Sequence, residues 1–313
     1  MRTRAEAWAG RASEAPLVSL SDISEIELVI VKRMRALTMG EHRSSVHGSG
    51  FDFVGLREWE AGDRFSSIDW AQSSINNFAP LIVRDFDQPS TASVVAVADG
   101  SLSTRCGVDG LPIAAAIARA IATIGMSAVF FQDTFGLITV DEGFGHFEAV
   151  RPRIGKGQVT HCLDAYQYPG AGQEIPRSGS ISQTLSGFLR KTSMLPVISD
   201  FLIDEPAALL RELAALDTTH DVFLVIVDAT FAYEMPPISA GWVEAFDVES
   251  GRSRLMSRGT LRRMAARVAA WQDEVARLAR DQDLDVVRLG RDQAQADLAL
   301  TEFAVERRLR KVR

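Results

Sequence analysis

Val94-Val95-Ala96-Val97-Ala98-Asp99-Gly100-Ser101-Leu102-Ser103 is the stretch on which the fold turns. Five small or β-branched apolar residues run straight into Asp-x-Ser-x-Ser. A short, Val-rich run bounded by Gly reads as a strand buried on both faces of a sheet. In open α/β sheets, ligands gather where the chain leaves the C-terminal ends of the strands. Here the departing chain carries a carboxylate and two hydroxyls at alternate positions, so the three side chains can converge on one point. A hard divalent cation such as Mg²⁺ takes an octahedron of oxygens and keeps several waters. Asp99, Ser101 and Ser103 would supply part of such a shell and leave a position open. The competing reading makes Asp99 the cap of a following helix and the serines turn residues.

The pattern resembles the metal-ion-dependent adhesion site of von Willebrand factor A-like domains. That site adds a hydroxyl residue from a later loop and an Asp after a later strand. Leu195-Pro196-Val197-Ile198-Ser199-Asp200-Phe201 is a second apolar run tipped by a carboxylate, and the resemblance makes Asp200 that Asp. For the loop hydroxyl, a Gly-Thr is expected before a short helix. Gly179-Ser180 is the nearest match, with Ser182 and Thr184 close by.

With 313 residues the chain has room for one large domain or two modest ones. Its 46% hydrophobic and 24% charged residues are ordinary for a globular protein. A net charge of -7 argues against nucleic acid as partner, since phosphate binding needs a basic surface. Cys106 and Cys162 show no Cys-x-x-Cys spacing, and a reduced cytosolic chain with two plain thiols is the economical reading. No signal peptide is visible. The longest apolar stretch, Leu111 to Phe131, is interrupted by Arg119 and reads as a buried helix followed by a strand, not a membrane span. The histidines, His42, His47, His146, His161 and His220, lack zinc-ligand spacing and read as surface or loop residues. Neither a nucleophile elbow, a P-loop nor a dinucleotide fingerprint is present.

In chain order, residues 1–20 are expected to be loosely ordered. Ser21 or Asp22 should cap a helix running to about Leu37. Gly-punctuated aromatic pieces between 46 and 90 read as a small β-rich appendage, with strands near Phe51–Phe53 and Leu81–Phe86. Asp63 would cap a single helical turn through Ser67. From residue 91 strands and helices alternate. Helices are expected at 109–126, 158–166, 182–191, 206–216, 260–282 and 294–305. Strands are expected at 94–98, 128–131, 135–140, 195–199, 221–227 and 284–289, with a hairpin over 242–257 and an exposed Asp273–Arg277 pair. Such alternation implies a doubly wound, mainly parallel α/β sheet with helices on both faces. The expected division is a loose 1–20, a helix and β-rich appendage over 21–90, the main domain over 91–305, and a solvated basic tail over 306–313.

Leu56-Arg57-Glu58-Trp59-Glu60-Ala61-Gly62-Asp63 and Ser67-Ile68-Asp69-Trp70 add a family signature. Together with the two Asp-tipped strands, they make the chain resemble the bacterial "domain of unknown function 58" family over residues 40–305. Members carry a von Willebrand factor A-like domain. They are typically encoded near MoxR-type AAA+ ATPases, which implies an adaptor or cochaperone role. There are departures. The family's Tyr-x-Pro-Gly-Asp is here Trp59-Glu60-Ala61-Gly62-Asp63. Its basic residues before Ile-Asp-Trp are here Ser66 and Ser67, and its Ala-Arg is here Ser74-Ile75. Arg57, Asp63 and Asp69 read better as a structural network than as a site, because Trp59, Phe65, Ile68 and Trp70 interleave with them.

Three functions follow. The first is a cytosolic, non-enzymatic module holding Mg²⁺ at Asp99, Ser101, Ser103 and Asp200, with Ser180 as the loop ligand. It would dock a partner's carboxylate in the open position. The second is the same fold as a scaffold with a metal-free site. The third is a metal-dependent hydrolase, against which stands the lack of a general base beside the cluster.

Overall fold

The computed structural model describes residues 16–39, 52–60, 68–87, 91–108, 111–141, 144–235, 241–247 and 252–310. The chain divides into two compact units: Arg35–Thr91, and Met1–Met34 together with Ala92–Arg313. Helix α1 (Leu20–Met39) contributes to both. Its cap is Ser19, two residues before Ser21 and three before Asp22. The Ser19 amide donates to Asp22 Oδ2 (2.8 Å) and the Asp22 amide donates to Ser19 Oγ (3.2 Å), a reciprocal box.

In the smaller unit, β1 (Asp52–Glu58) and β2 (Ile82–Asp87) form an antiparallel ribbon with a register shift between Phe53 and Gly55. Between them lies α2 (Trp70–Ile75). Asp69 caps α2, accepting the amides of Ala71 (3.1 Å) and Gln72 (3.2 Å), which gives it the structural role expected. Asp63 with its turn, and the side chain of Arg57, lie outside the described residues.

The larger unit is built on a seven-stranded sheet. Its strands are β3 (Ser93–Asp99), β4 (Thr134–Val140), β5 (Phe147–Arg153), β6 (Gln173–Glu174), β7 (Met194–Ser199), β8 (Asp221–Val227) and, after the separate hairpin β9 (Trp242–Asp247) and β10 (Arg252–Ser257), β11 (Asp285–Leu289). Their spatial order is β11-β8-β7-β3-β4-β5-β6. The β4–β5 and β5–β6 pairs are antiparallel, and the other pairs are parallel. Apart from the short edge strand β6, counting along the chain gives the order 3-2-1-4-5-6. That is a doubly wound sheet whose order reverses between β3 and β7. The doubly wound, mainly parallel α/β sheet with helices on both faces expected from the sequence is therefore present, with two antiparallel strand pairs at one end.

The strands are apolar because both faces are covered. Val95 and Val97 of β3, Leu195 and Val197 of β7, and Val222, Leu224 and Ile226 of β8 face one way. They pack with α5 (Ile181–Phe188), α6 (Pro206–Asp217) and α7 (Arg258–Arg280). The other face meets α3 (Ile113–Phe130), α4 (Lys156–Gln167) and α8 (Gln293–Arg310). Helix α3 is long and apolar enough to cross a membrane, but 78% of it is buried inside the fold. A Cβ on its Gly125 would stand 2.9 Å from the Phe135 ring, so the helix lies as close to β4 as glycine permits.

Four expectations need correction. Ala128–Phe130 continues α3 instead of forming a strand, and the partner of β4 is β5, further along the chain. Residues 306–310 do not form a solvated tail. Helix α8 runs to Arg310, and Arg307 is largely buried, bonded to Asp221 (2.7 Å) and Asp285 and lying over the Phe223 and Phe303 rings. Arg277 pairs with Glu274 (2.5 Å) and Asp281 (2.8 Å), while Asp273 pairs with Arg288. His220 is buried, and its Nδ1 accepts the Ser193 amide (3.3 Å). The hairpin turn at 248–251 and residues 1–15 lie outside the described residues.

Candidate metal centre at the switch point

The reversal of strand order opens a crevice at the C-terminal ends of β3 and β7, the place where such sheets bind ligands. Register puts the two tips side by side, with Ala98 opposite Ile198. Asp99 therefore neighbours Ser199, and Asp200 follows at once.

Each tip is locked by short-range bonds. Asp99 Oδ1 accepts the Ser101 amide at 2.9 Å, a bond to its own chain two residues on. The chain then enters a 3-10 turn, Leu102–Arg105, whose N-cap is Ser101 without a side-chain capping bond. Asp99 thus caps no helix. The buried Thr104 hydroxyl donates to the Ser101 carbonyl (2.7 Å) and fixes the turn. This leaves the Ser101 and Ser103 hydroxyls 3.0 Å apart. The Tyr166 hydroxyl of α4 donates to the Asp99 carbonyl (2.8 Å). Burial pushes that phenol's pKa up, so it stays a donor.

On the other tip, the Ser199 hydroxyl donates to Asp99 Oδ2 (2.6 Å) and accepts the Phe201 amide (2.8 Å). One hydroxyl thereby ties β3 to β7. Phe201 sits in left-handed backbone (φ 54°), unusual for a bulky residue, with its ring wholly buried. Asp200 Oδ1 accepts the Leu202 amide at 3.1 Å. Asp200 Oδ2 is buried and has no hydrogen-bond partner among the described residues. Burial is the main reason the Asp200 carboxyl is pushed up to about 6; the Leu202 amide opposes this and the negative charge of Asp99 adds to it. Tyr233, in the 3-10 turn Thr230–Tyr233, is also pushed up, by burial and then by Asp200.

Asp99 and Asp200 thus stand on adjacent strand tips, and the Ser101 and Ser103 hydroxyls lie on the turn that follows Asp99. Ser180 is engaged elsewhere: it caps α5, accepting the Gln183 amide (3.2 Å) and sharing a 2.8 Å hydroxyl contact with Ser182. Sequence reasoning missed two groups. Ser199 was visible as the polar residue ending an apolar strand. Gln272 of α7 donates its Nε2 to the carbonyls of Asp200 (2.9 Å) and Val227 (2.8 Å), and its signal was an amide standing in the apolar stripe of a helix.

The donor set fits a hard cation. Among the described residues, the buried Asp200 oxygen beside a second carboxylate has no positive partner. Two cis oxygens of an octahedron with bonds of about 2.1 Å lie about 3.0 Å apart, which matches the separation of the two serine hydroxyls. Among the described residues no three His, Cys, Asp or Glu side chains converge on a metal site. A cation here would rely on hydroxyl oxygens and water, as Mg²⁺ tolerates.

A family model described as "Protein of unknown function DUF58" matches residues 55–275, more than half of the chain. The chain belongs to the DUF58 family. The match spans both Asp-tipped strands and reaches past Gln272. Among solved structures, the DUF58 chain is similar to conserved hypothetical protein BatB from Bacteroides thetaiotaomicron, at 13% identity and a TM-score of 0.42, over 69% of this chain and 98% of that one. It is also similar to the pilus adhesin SpaC from Lactobacillus rhamnosus GG in its open conformation, at 12% identity and a TM-score of 0.38, over 72% of this chain and 31% of that one. No curated protein matches.

Proposed function

We propose that this DUF58 chain is a non-enzymatic protein-binding module that holds Mg²⁺ in the crevice and receives a carboxylate from a partner protein. The observation that carries the reading is the buried, unpartnered Asp200 Oδ2 beside Asp99 at the switch point. When bound, the ion would neutralise the two carboxylates and offer an open coordination position to an acidic side chain. Ser101 and Ser103 would present their hydroxyl oxygens to it directly, and Asp99 and Asp200 directly or through water. Ser199 and Tyr166 hold Asp99 in place from its carboxylate and carbonyl sides. In this reading the module binds and does not hydrolyse.

The partner class rests on the family resemblance alone. It points to a MoxR-type AAA+ ATPase, with this chain as a cytoplasmic adaptor or cochaperone. Co-purification from the native host should recover such an ATPase with the parent chain and lose it with Asp99→Ala. Its repeated absence from parent pull-downs would count against this partner.

Melting the protein with and without Mg²⁺ tests the centre itself. Binding to the folded state alone contributes about 1.4 kcal/mol at roughly tenfold excess over Kd. For a chain of this size that shifts Tm by about 2–4 °C. The shift should vanish in Asp99→Ala. A flat parent response at saturating Mg²⁺ would leave a metal-free scaffold as the better reading.

A further inference from the structure

Leu261, Val268, Val275, Ala276 and Ala279 form a buried stripe on helix α7, of which Val275, Ala276 and Ala279 belong to the core against the sheet. In the middle of this stripe stands Gln272, 1% exposed. A buried amide is tolerated only when its polar atoms are bonded, and an apolar residue of the same shape would pack at least as well. The Gln272 amide nitrogen donates to two carbonyls from two different strand ends, those of Asp200 and Val227. The preceding residue does the same kind of work: Trp271 donates its indole N–H to the Phe201 carbonyl at 2.9 Å. Consecutive residues of one helix therefore hold consecutive carbonyls of one loop. Both carbonyls lie past the last residue of β7, where the strand ladder has ended. The loop they hold carries Asp200 and the left-handed Phe201.

We propose that Gln272 and Trp271 are positioning residues of the Asp200 arm, fixing the loop so that the carboxylate stays beside Asp99 and thereby setting the affinity of the crevice for Mg²⁺. This inference rests on the metal reading above. Neither side chain touches the ion; each acts through a peptide carbonyl of the loop. Positioning by such outer groups is commonly worth about tenfold or more in metal affinity. Loss of either bond frees the 200–203 loop without removing a ligand.

Two conservative variants test it. Trp271→Phe removes one N–H at a half-exposed position and keeps a ring there. Gln272→Met keeps the shape and removes the donor. Asp273→Asn, on the next residue and exposed, is the control. The first readout is hydrogen exchange in Mg²⁺-free protein. The amides of Phe201 and Leu202, bonded to Ser199 and Asp200, should exchange about tenfold faster in either variant, while those of α3 keep parent rates. The second readout is Mg²⁺ affinity by titration calorimetry, which should fall about tenfold in each variant and stay unchanged in the control.

Parent rates at Phe201 and Leu202 in both variants overturn the proposal, whatever the metal does. Faster exchange spread evenly through α3 also overturns it, because that reports general destabilisation. Faster local exchange with unchanged Mg²⁺ affinity refutes the link to the metal. If the parent binds no Mg²⁺ yet the variants loosen the loop locally, the metal reading fails and the positioning of the loop stands. Should Gln272→Met fail to fold, Trp271→Phe alone decides, since it deletes only one bond at the rim.

Discussion

At Asp200, one carboxylate oxygen accepts an amide and the other has no hydrogen-bond partner among the described residues, inside a site that already holds Asp99. The group therefore binds its proton more tightly in the folded chain, near pH 6, than in the unfolded chain, near 3.8. Between those values the folded state holds more protons, so stability falls as pH rises. The contribution is fully present below 3.8 and lost by about pH 6. A shift of about two units corresponds to an order of 3 kcal/mol. Asp200→Asn removes the titration and can donate its amide toward Asp99. Without Mg²⁺, the variant should be more stable than the parent at pH 7, by up to that amount, and equal to it near pH 4. Its Mg²⁺ response should be gone. Urea unfolding at pH 4, 5, 6 and 7 reads both. A variant less stable than the parent at pH 7, with a parallel pH profile, would mean the carboxylate is paired in solution. The residue was legible from sequence as a carboxylate ending an apolar strand. Its unpartnered oxygen was not, because that depends on where Asp99 and α7 lie around it.

Helix α5 shows how an element can claim a residue that a motif also wants. Ser180 was expected in the metal shell, yet its hydroxyl takes the Gln183 amide and the Gln183 side chain returns to the Ser180 amide (3.4 Å). Ser180→Ala should therefore cost about 1 kcal/mol of stability, the usual worth of an N-cap. The Tm shift with Mg²⁺ should match the parent. A diminished shift would place Ser180 among the ligands after all. Strands buried on both faces, such as β3 and β7, were legible because their middles are apolar throughout and polar residues stand only at their ends. Strand β5 was not. It lies near the sheet edge, where Glu148, Arg151, Pro152 and Arg153 break the apolar pattern. The end of α3 was misread because Ala128-Val129-Phe130-Phe131 suits either a strand or a buried helix. What decides it is the left-handed Gln132 (φ 58°), where the chain turns back after a full-length helix. Gln272 could have been found by asking which α7 positions share the spacing of Leu261, Val268, Val275 and Ala279.

Across the larger unit, segments far apart in sequence are joined at one buried cation. Arg119, in the middle of α3, contacts Asp297 of α8 at 2.8 and 3.0 Å and, on α1, Glu25 at 3.2 Å and Asp22 at 3.4 Å. The Thr123 hydroxyl donates to the remaining Asp297 oxygen, Oδ1, at 2.9 Å. Burial lifts the Asp297 carboxyl above the usual range even beside this partner. The pair adds little over an apolar replacement of both members, but removing one member strands the other. Arg119→Met should cost about 3–5 kcal/mol at neutral pH, because it leaves Asp297 charged, buried and uncompensated. The sign with pH follows. In the variant the Asp297 carboxyl, raised further, recovers stability as pH falls through its folded pKa and the group becomes neutral. The double variant Arg119→Met with Asp297→Asn should regain most of the loss at pH 7 and show no such pH dependence. The Glu25 and Asp22 contacts are more exposed and should contribute under 1 kcal/mol each. Urea unfolding of the single and double variants at pH 5 and 7 separates these terms. If Arg119→Met loses less than about 1 kcal/mol at pH 7, or if the double variant is no better than the single, the buried pair does not hold α3 and α8 together. Apolar contacts around Ile117, Ile121 and Leu300 would then carry that junction.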